Sequence, residues 1–340
     1  MRFIERVWSG DAPRDALARA FLSPFELFFR GIVAARAGLY DSGILQSRTS
    51  LIPVISIGNL TVGGTGKTPV AAWFASRLVQ NGKLPAIILR GYGGDETIVH
   101  KFLNPAVPIV EATDRASGVQ IAADSGANVA ILDDAFQHRR AARDVDIVLI
   151  SADDWTERQR LLPAGPYRET ASALARASIV IVTRKVATDE KVAAVHDFVR
   201  RAAPNVPVSI FRLELGDIVQ VGAAKRDLAT NALRDRSVLA VSGIGNPKAF
   251  VSQLEATGAR AVSMEFPDHH SFTASEISEI ARRGTDFDYI VCTLKDAVKL
   301  GPQWPADAGP LWYVSLSVNV DRGKAAIDEI LTRLDSKRDI

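Results

Sequence analysis

An α/β architecture is what this chain predicts: a parallel sheet covered by helices, followed by a second, smaller α/β domain. Three observations carry the prediction. Short, unbroken apolar runs recur from Leu51 onward, which is how strands buried on both faces read. Helical patterns lie between them, as the crossovers of a parallel sheet require. A glycine-rich string, Gly58-Asn59-Leu60-Thr61-Val62-Gly63-Gly64-Thr65-Gly66-Lys67-Thr68-Pro69, follows the first run where a helix begins.

Taken in order, the N-terminus comes first. Ser23-Pro24-Phe25-Glu26 has the form of a helix start, with Ser as N-cap, Pro at N1 and Glu at N3. A helix from there to Gly38 would be about 21 Å long, short of the roughly 30 Å hydrocarbon core. Arg19, Glu26, Arg30 and Arg36 break any longer apolar stretch, and Pro13 to Leu22 adds Arg14 beside Leu17 and Phe21. Basic residues beside bulky apolar ones predict an amphipathic segment lying in a membrane interface. A core helix fits the same pattern. A signal peptide, suggested by Ala35-Arg36-Ala37, fits poorly because the apolar region is broken.

Strands are predicted at Val54–Ile57, Ala86–Leu89, Val129–Leu132, Ile147–Ile150 and Ile179–Thr183, with a helix over Pro69–Gln80. A boundary is placed near Ala203-Pro204-Asn205-Val206-Pro207. Beyond it, Val208–Leu215 and Ile218–Val221 read as two strands of a connecting ribbon. The strands Val238–Ser242, Ala261–Phe266, Tyr289–Thr293 and Trp312–Leu316 follow, and Asp335–Ile340 reads as a frayed end. The expected domains are therefore a docking segment over 1–45, a core domain over 46–207 and a smaller α/β domain over 208–340.

The bulk numbers narrow the classes. The chain has 340 residues, 47% hydrophobic and 24% charged, with mean hydropathy +0.07: globular, with room for two cores. A net charge of +2 gives no argument for nucleic acid as a partner. One cysteine, Cys292, rules out an intrachain disulfide.

The glycine-rich string is a phosphate-binding loop, which makes the predicted sheet P-loop NTPase-like. Backbone N–H groups from Thr61 through Val62, Gly63, Gly64, Thr65 and Gly66 to Lys67 and Thr68 would wrap an anion at a helix N-terminus. Lys67 would reach the β/γ-phosphates, and the Thr68 hydroxyl would sit on Mg²⁺. The G-x-x-x-x-G-K-[ST] pattern is met except at its first glycine, where Thr61 stands. Val129–Leu132 ends in Asp133-Asp134, the place where such folds hold Mg²⁺, although a helix cap would explain one of the two. Asp95-Glu96, in a loop after Gly93-Gly94, offers a carboxylate to accept a proton; alone it would be a solvated acidic turn. Arg168 closes the turn-rich Leu161–Glu169 stretch and can hold a phosphate. Asp268-His269-His270 can orient a tautomer, and lacks the spacing of a zinc site. Thr293-Leu294-Lys295-Asp296 reads as a domain-closing contact or a helix start. Arg90-Gly91-Tyr92-Gly93, the phosphate loop and Asp133-Asp134 all follow strands, so one sheet edge would gather them.

Together these strings resemble the tetraacyldisaccharide 4′-kinase family, the lipid A 4′-kinases of Gram-negative bacteria. The match runs through Gly58–Pro69, Arg90-Gly91-Tyr92-Gly93-Gly94, Gly94-Asp95-Glu96 and Asp133-Asp134-Ala135-Phe136-Gln137-His138-Arg139. It continues through Leu162-Pro163-Ala164-Gly165-Pro166 with Arg168-Glu169, Phe266-Pro267-Asp268-His269-His270 and Lys295-Asp296-Ala297-Val298-Lys299. The family's long stretch before Gly-Asp-Glu is almost absent here; Thr97 replaces its proline and Leu294 its glutamate.

The resemblance implies transfer of the ATP γ-phosphate to the 4′-hydroxyl of tetraacyldisaccharide 1-phosphate, forming lipid IVA in lipid A biosynthesis. It implies a peripheral or monotopic enzyme at the cytoplasmic face of the inner membrane, and a monomer is expected. Asp95 would be the catalytic base, assisted by His269, with Lys67 neutralising phosphate charge. Mg²⁺ would be held among Thr68, Asp133 and Asp134, with Glu96 nearby. Arg168, Gln137, His138 and His270 would contact the lipid substrate. Two other readings share the loop: a regulatory GTPase or metal-delivery ATPase, and a non-enzymatic membrane nucleotide sensor. A guanine-reading N/T-K-x-D string would favour a GTPase, and Thr293-Leu294-Lys295-Asp296 has the wrong order.

Overall fold

The apolar runs form strands, and the patterns between them form helices. A computed structural model describes residues 3–91, 94–222 and 226–334. In chain order the elements are α1 (Phe3–Ser9), α2 (Pro13–Asp41), β1 (Val54–Asn59), α3 (Lys67–Gln80), β2 (Pro85–Leu89), α4 (Asp95–Leu103), β3 (Ile109–Glu111) and α5 (Arg115–Asp124). Then come β4 (Val129–Asp133), β5 (Val145–Ser151), β6 (Ile179–Arg184), α6 (Asp189–Ala202), β7 (Val208–Gln220) and β8 (Asp227–Leu228). The last are β9 (Ser237–Ser242), α7 (Pro247–Ala256), β10 (Arg260–Glu265), α8 (Ala274–Gly284), β11 (Tyr289–Thr293), α9 (Leu294–Leu300), β12 (Leu311–Arg322) and α10 (Lys324–Arg333).

Contacts divide the chain into two units: Met1–Gly91, Asn104–Phe211 and Val320–Ile340 in one, Tyr92–Leu103 and Arg212–Asn319 in the other. Two segments therefore cross a simple division at residue 207. The α4 segment belongs to the second unit because it packs against α9. The C-terminal segment returns to the first, where Ser209 Oγ donates to the Gly323 carbonyl at 2.9 Å.

In the first unit the strands run β6-β5-β1-β4-β2-β3, all paired in parallel. β1, β2, β4 and β5 are buried along their whole length, which explains their unalternating composition. One core holds Val54, Ile88, Leu132 and Val119; another holds Val148, Val180, Val195 and Phe198. Each such side chain contributes about 1.5–3 kcal/mol on burial. β1 lies between β4 and β5, with Ile57 opposite Asp133. The loops after β1, β2 and β4 thus emerge side by side at the carboxyl ends of three adjacent strands, where such sheets bind ligands.

The second unit orders its strands β10-β9-β11-β12-β7, with β8 antiparallel to β7. Alternate residues of β9 enter opposite cores. Val238 and Ala240 pack with Phe250 and Leu254 of α7. Leu239 and Val241 pack with Ile277 and Ile280 of α8 and with Leu300.

Several elements differ from the sequence reading. Ser23-Pro24 does not start a helix; α2 runs unbroken for 29 residues with Pro24 inside, a length of about 43 Å. Pro24 can give no N–H to the preceding turn, and Ser23 Oγ instead donates to Arg19 O at 2.9 Å. Long-range contacts hold both halves: Arg19 donates to Val7 O and Gly10 O, and Glu26 accepts from Leu161 N and Arg160. No described helix is long and apolar enough to cross a membrane. The two ribbon strands are one, β7, continuous through Gly216-Asp217. Asp95-Glu96 opens helix α4 rather than a loop, its acids at the favourable end of the helix dipole. The half-exposed β3 has no counterpart in the prediction. Tyr92-Gly93 of the Arg-Gly-Tyr-Gly string and the expected frayed end Asp335–Ile340 lie outside the described residues.

Candidate active site

Two clusters of functional side chains stand out, one in each unit. The first surrounds the phosphate loop. Gly66 takes φ +85° as it turns the chain into α3, a conformation that favours glycine. Thr65 is buried and held on both sides: Asn59 Nδ2 donates to its hydroxyl at 3.0 Å, and Thr183 Oγ1 donates to its carbonyl at 2.9 Å. The Val62 N–H donates to Pro166 O at 2.8 Å, and Arg168 N donates to Leu60 O at 2.7 Å. The Leu161–Glu169 stretch therefore braces the phosphate loop from outside. Gly63 and Gly64 have open space where a side chain would stand.

Asp134 organises the cations. Its carboxylate lies 3.7 Å from Lys67 Nζ and accepts from Arg168 Nη1 at 3.0 and 3.2 Å. Burial pushes its pKa up, but Lys67, Arg168 and Arg115 outweigh that, and it lies below the usual carboxylate value. Asp134 itself has φ +50°, strained for a residue other than glycine. Asp133, at the buried end of β4, has its carbonyl fixed by Arg115 Nη2 at 3.2 Å. Gln137 Nε2 donates to Asn59 O at 3.0 Å. Burial and then Arg115, Arg90 and Arg36 push His138 down, so its ring is neutral at pH 7. Arg143 clamps this turn by donating to the carbonyls of Phe136, His138 and Ala141.

A Mg²⁺ ion needs little from such a site: one or two carboxylates, with phosphates and water completing the octahedron. Thr68, Asp133 and Asp134 offer oxygen donors of that kind. No group of three or more His, Cys, Asp or Glu among the described residues could cage a metal. The residues fit an ion delivered with a nucleotide rather than a resident one. Glu96, expected near these carboxylates, falls in the second unit.

The second cluster centres on Asp95, buried in the first turn of α4. Its Oδ2 meets His269 Nδ1 at 3.2 Å and Lys299 Nζ at 3.1 Å. Burial pushes Asp95 up, but Lys299 and His269 more than compensate, so the carboxyl lies below its ordinary value and is ionised at pH 7. His269 adopts φ +58°, and its N–H donates to Gly243 O at 3.2 Å. His270 turns to its own loop: Nε2 lies 3.0 Å from both Glu276 oxygens, and the ring stacks on Phe266. One ring nitrogen of His270, Nε2, is thus engaged within the second unit. Thr293 to Asp296 is a helix start, with Thr293 as N-cap. Asp296 is fully buried and accepts from Gly243 N at 3.1 Å, so it is no base reader. Lys299 was not singled out from sequence; its place in a Lys-Asp-Ala-Val-Lys string one helical turn beyond Asp296 was the available signal.

Residues 18–335 match LpxK, the tetraacyldisaccharide-1-P 4'-kinase family. The chain belongs to this family. LpxK relatives include the tetraacyldisaccharide 4'-kinase of Anaeromyxobacter dehalogenans (strain 2CP-C), 37% identical over 97% of this chain and 95% of the relative. That of Halorhodospira halophila is 34% identical over 95% and 96%. The crystal structure of LpxK from Aquifex aeolicus in complex with ATP aligns with a TM-score of 0.71 at 27% identity. It covers 93% of this chain and 99% of that one. The α/β fold and its mostly parallel sheet are thus those of LpxK.

Proposed function

We propose that the protein transfers the γ-phosphate of ATP to the 4′-hydroxyl of tetraacyldisaccharide 1-phosphate, forming lipid IVA in lipid A biosynthesis. The observation that carries this reading is the Asp95 carboxylate, ionised and held by a histidine and a lysine, in a chain that also has a phosphate loop. A sugar hydroxyl attacks only if its proton has somewhere to go.

The phosphate loop, Thr61 to Thr68, takes the triphosphate through its amides. Lys67 neutralises charge on the β/γ oxygens, and Arg168 binds a phosphate through its forked donors. Asp134 holds both cations in place beforehand. Thr68, Asp133 and Asp134 would hold Mg²⁺, which would supply charge to offset that of the transferring group. The acceptor oxygen bonds to the γ-phosphorus as the bridging β–γ bond breaks; Asp95 takes the hydroxyl proton and ADP leaves. We assign Gln137 and His138, in the turn after Asp134, to the acceptor sugar.

The acceptor's chains keep it in the bilayer at about 0.8 kcal/mol per buried CH₂, so the enzyme goes to the membrane. Leu17, Phe21, Phe25, Phe28 and Ile32 of α2 are exposed at 72, 75, 57, 73 and 50%. Their spacing puts them on one helical face. We assign this face to peripheral docking on the cytoplasmic side of the inner membrane. The test is incubation with ATP, Mg²⁺ and the glycolipid acceptor, followed by mass analysis. One added phosphate is expected, lost in Lys67→Ala and Asp95→Asn; ATP hydrolysis with no modified lipid would reject the kinase.

A further inference from the structure

We propose that Thr183 is a positioning residue for the nucleotide: its hydroxyl holds the Thr65 carbonyl and so aims the Gly66 N–H, on the same peptide plane, at the triphosphate. The inference rests on the assignment of ATP to the phosphate loop.

The phosphate loop has little of its own to fix its shape. Gly63 and Gly66 take φ of +128° and +85°, and glycine accepts either sign of φ without steric cost. The peptide plane between Thr65 and Gly66 can therefore turn over unless something grips it. In a trans peptide the C=O and the N–H point in opposite directions, so whatever fixes the Thr65 oxygen fixes the Gly66 hydrogen as well. Thr183 Oγ1 donates to that oxygen at 2.9 Å. Gly66 is the N-cap of α3, and its N–H is among those that a helix start leaves without an intrahelical acceptor and presents to an anion. The other anchor of Thr65, Asn59 Nδ2 to Oγ1 at 3.0 Å, holds the side chain rather than the peptide plane.

The grip comes from a rigid place. Thr183 lies 118 residues beyond Thr65, in β6, paired with Ser151 of β5. Both threonines are buried, so water does not compete for either group, and a buried hydroxyl has to find a partner. The Thr183 carbonyl accepts from Ala152 N at 2.8 Å. Just beyond it, the Asp153 carboxylate accepts from the N–H groups of Lys185, Val186 and Ala187 at 2.7, 2.8 and 2.8 Å. The turn after β6 is thereby tied to the segment after β5. A β-branched side chain has few χ1 choices, so a threonine in this strand delivers its hydroxyl to one spot. The loop is thus shaped before the nucleotide arrives, and a site already ordered binds more tightly because binding need not order it. Thr183 acts through the Thr65–Gly66 peptide.

The test compares full-length wild type, Thr183→Val and Thr183→Ser. ATP affinity is read by calorimetric titration, and turnover with ATP and the glycolipid acceptor each varied. Valine keeps the shape of threonine and removes the donor. Thr183→Val should raise both the Kd and the KM for ATP about three- to tenfold, the net worth of one hydrogen bond. The KM for the acceptor, and kcat at saturating ATP, should stay within about twofold of wild type. Thr183→Ser, which keeps the hydroxyl, should bind ATP within about twofold of wild type. A merely structural hydroxyl would lower the melting temperature of Thr183→Val and leave its Kd for ATP within about twofold of wild type, and that result overturns the inference. So does a Thr183→Ser that binds ATP as weakly as Thr183→Val. Should Thr183→Val unfold at the assay temperature, Thr183→Ala and Thr183→Ser are compared instead, and equal ATP affinity overturns it. If Lys67→Ala binds ATP as tightly as wild type, the phosphate-loop assignment falls and takes this inference with it. That outcome is distinct from a weakened Lys67→Ala beside an unaffected Thr183→Val, which overturns the inference alone.

Discussion

Gly58 sits within the buried strand β1 where Phe136 leaves no room: an added Cβ would lie 2.6 Å from the Phe136 backbone nitrogen and Cβ. Phe136 is fully buried and cannot withdraw. Gly58→Ala is therefore expected to destabilise the protein by about 1–3 kcal/mol, the usual cost of overpacking, read from the midpoint of denaturant unfolding. Because Phe136 follows Asp133-Asp134 by two residues, the same substitution should raise the KM for ATP. At this scale the sequence was legible where chemistry is local. Gly66-Lys67-Thr68 after an apolar run needs nothing distant to be understood. Asp95 and His269 are 174 residues apart, and residue type alone offered only an acidic turn and a histidine loop; the family resemblance paired them. Lys299 stayed hidden because nothing in a Lys-Asp-Ala-Val-Lys string says which carboxylate its last ammonium meets.

Elements were legible in proportion to how much of their support is local. The buried strands announce themselves by composition. α2 did not, because Ser23-Pro24 imitates a helix start and the contacts that override it come from residues over 130 positions away. β3 has three residues, none of them buried, so no apolar run marks it. Helix α8 is the opposite case: Thr273 and Glu276 form a capping box written in four residues. The Thr273 N–H, then His270, then the Thr273 hydroxyl hold the Glu276 carboxyl down at about 2. A carboxyl lowered on folding stabilises above its unfolded value, near 4.5, and loses that contribution as pH falls toward 2. The stability advantage of wild type over Glu276→Gln should thus shrink between about pH 5 and pH 2, measured by thermal unfolding of both across that range. Thr273→Ala should cost about 1 kcal/mol at neutral pH.

At the scale of the molecule, the membrane assignment depends on one face of one helix. Replacing Phe21, Phe25 and Phe28 with Ser should release the protein from vesicles of anionic phospholipid in a flotation assay while ATP binding persists. Retention of the triple variant on vesicles would move the docking site elsewhere. Cys292 offers a check on the whole: it is buried in the second unit and its thiol is pushed well up by burial, so it should resist alkylation until the chain unfolds.

Two other contacts of α2 have a consequence for experiment. Glu26 accepts from the Leu161 N–H and from Arg160 at the head of the stretch that leads to Arg168. Ten residues on, Arg36 donates to Gln137 O at 3.0 Å, in the turn after Asp134. Cutting away the first forty residues would take both rivets from the two loops that we assign to the triphosphate. A truncated enzyme that floats free and is also inert would say nothing about whether lipid contact is needed for turnover. Only surface substitutions that spare Glu26 and Arg36 can separate the anchor from the engine.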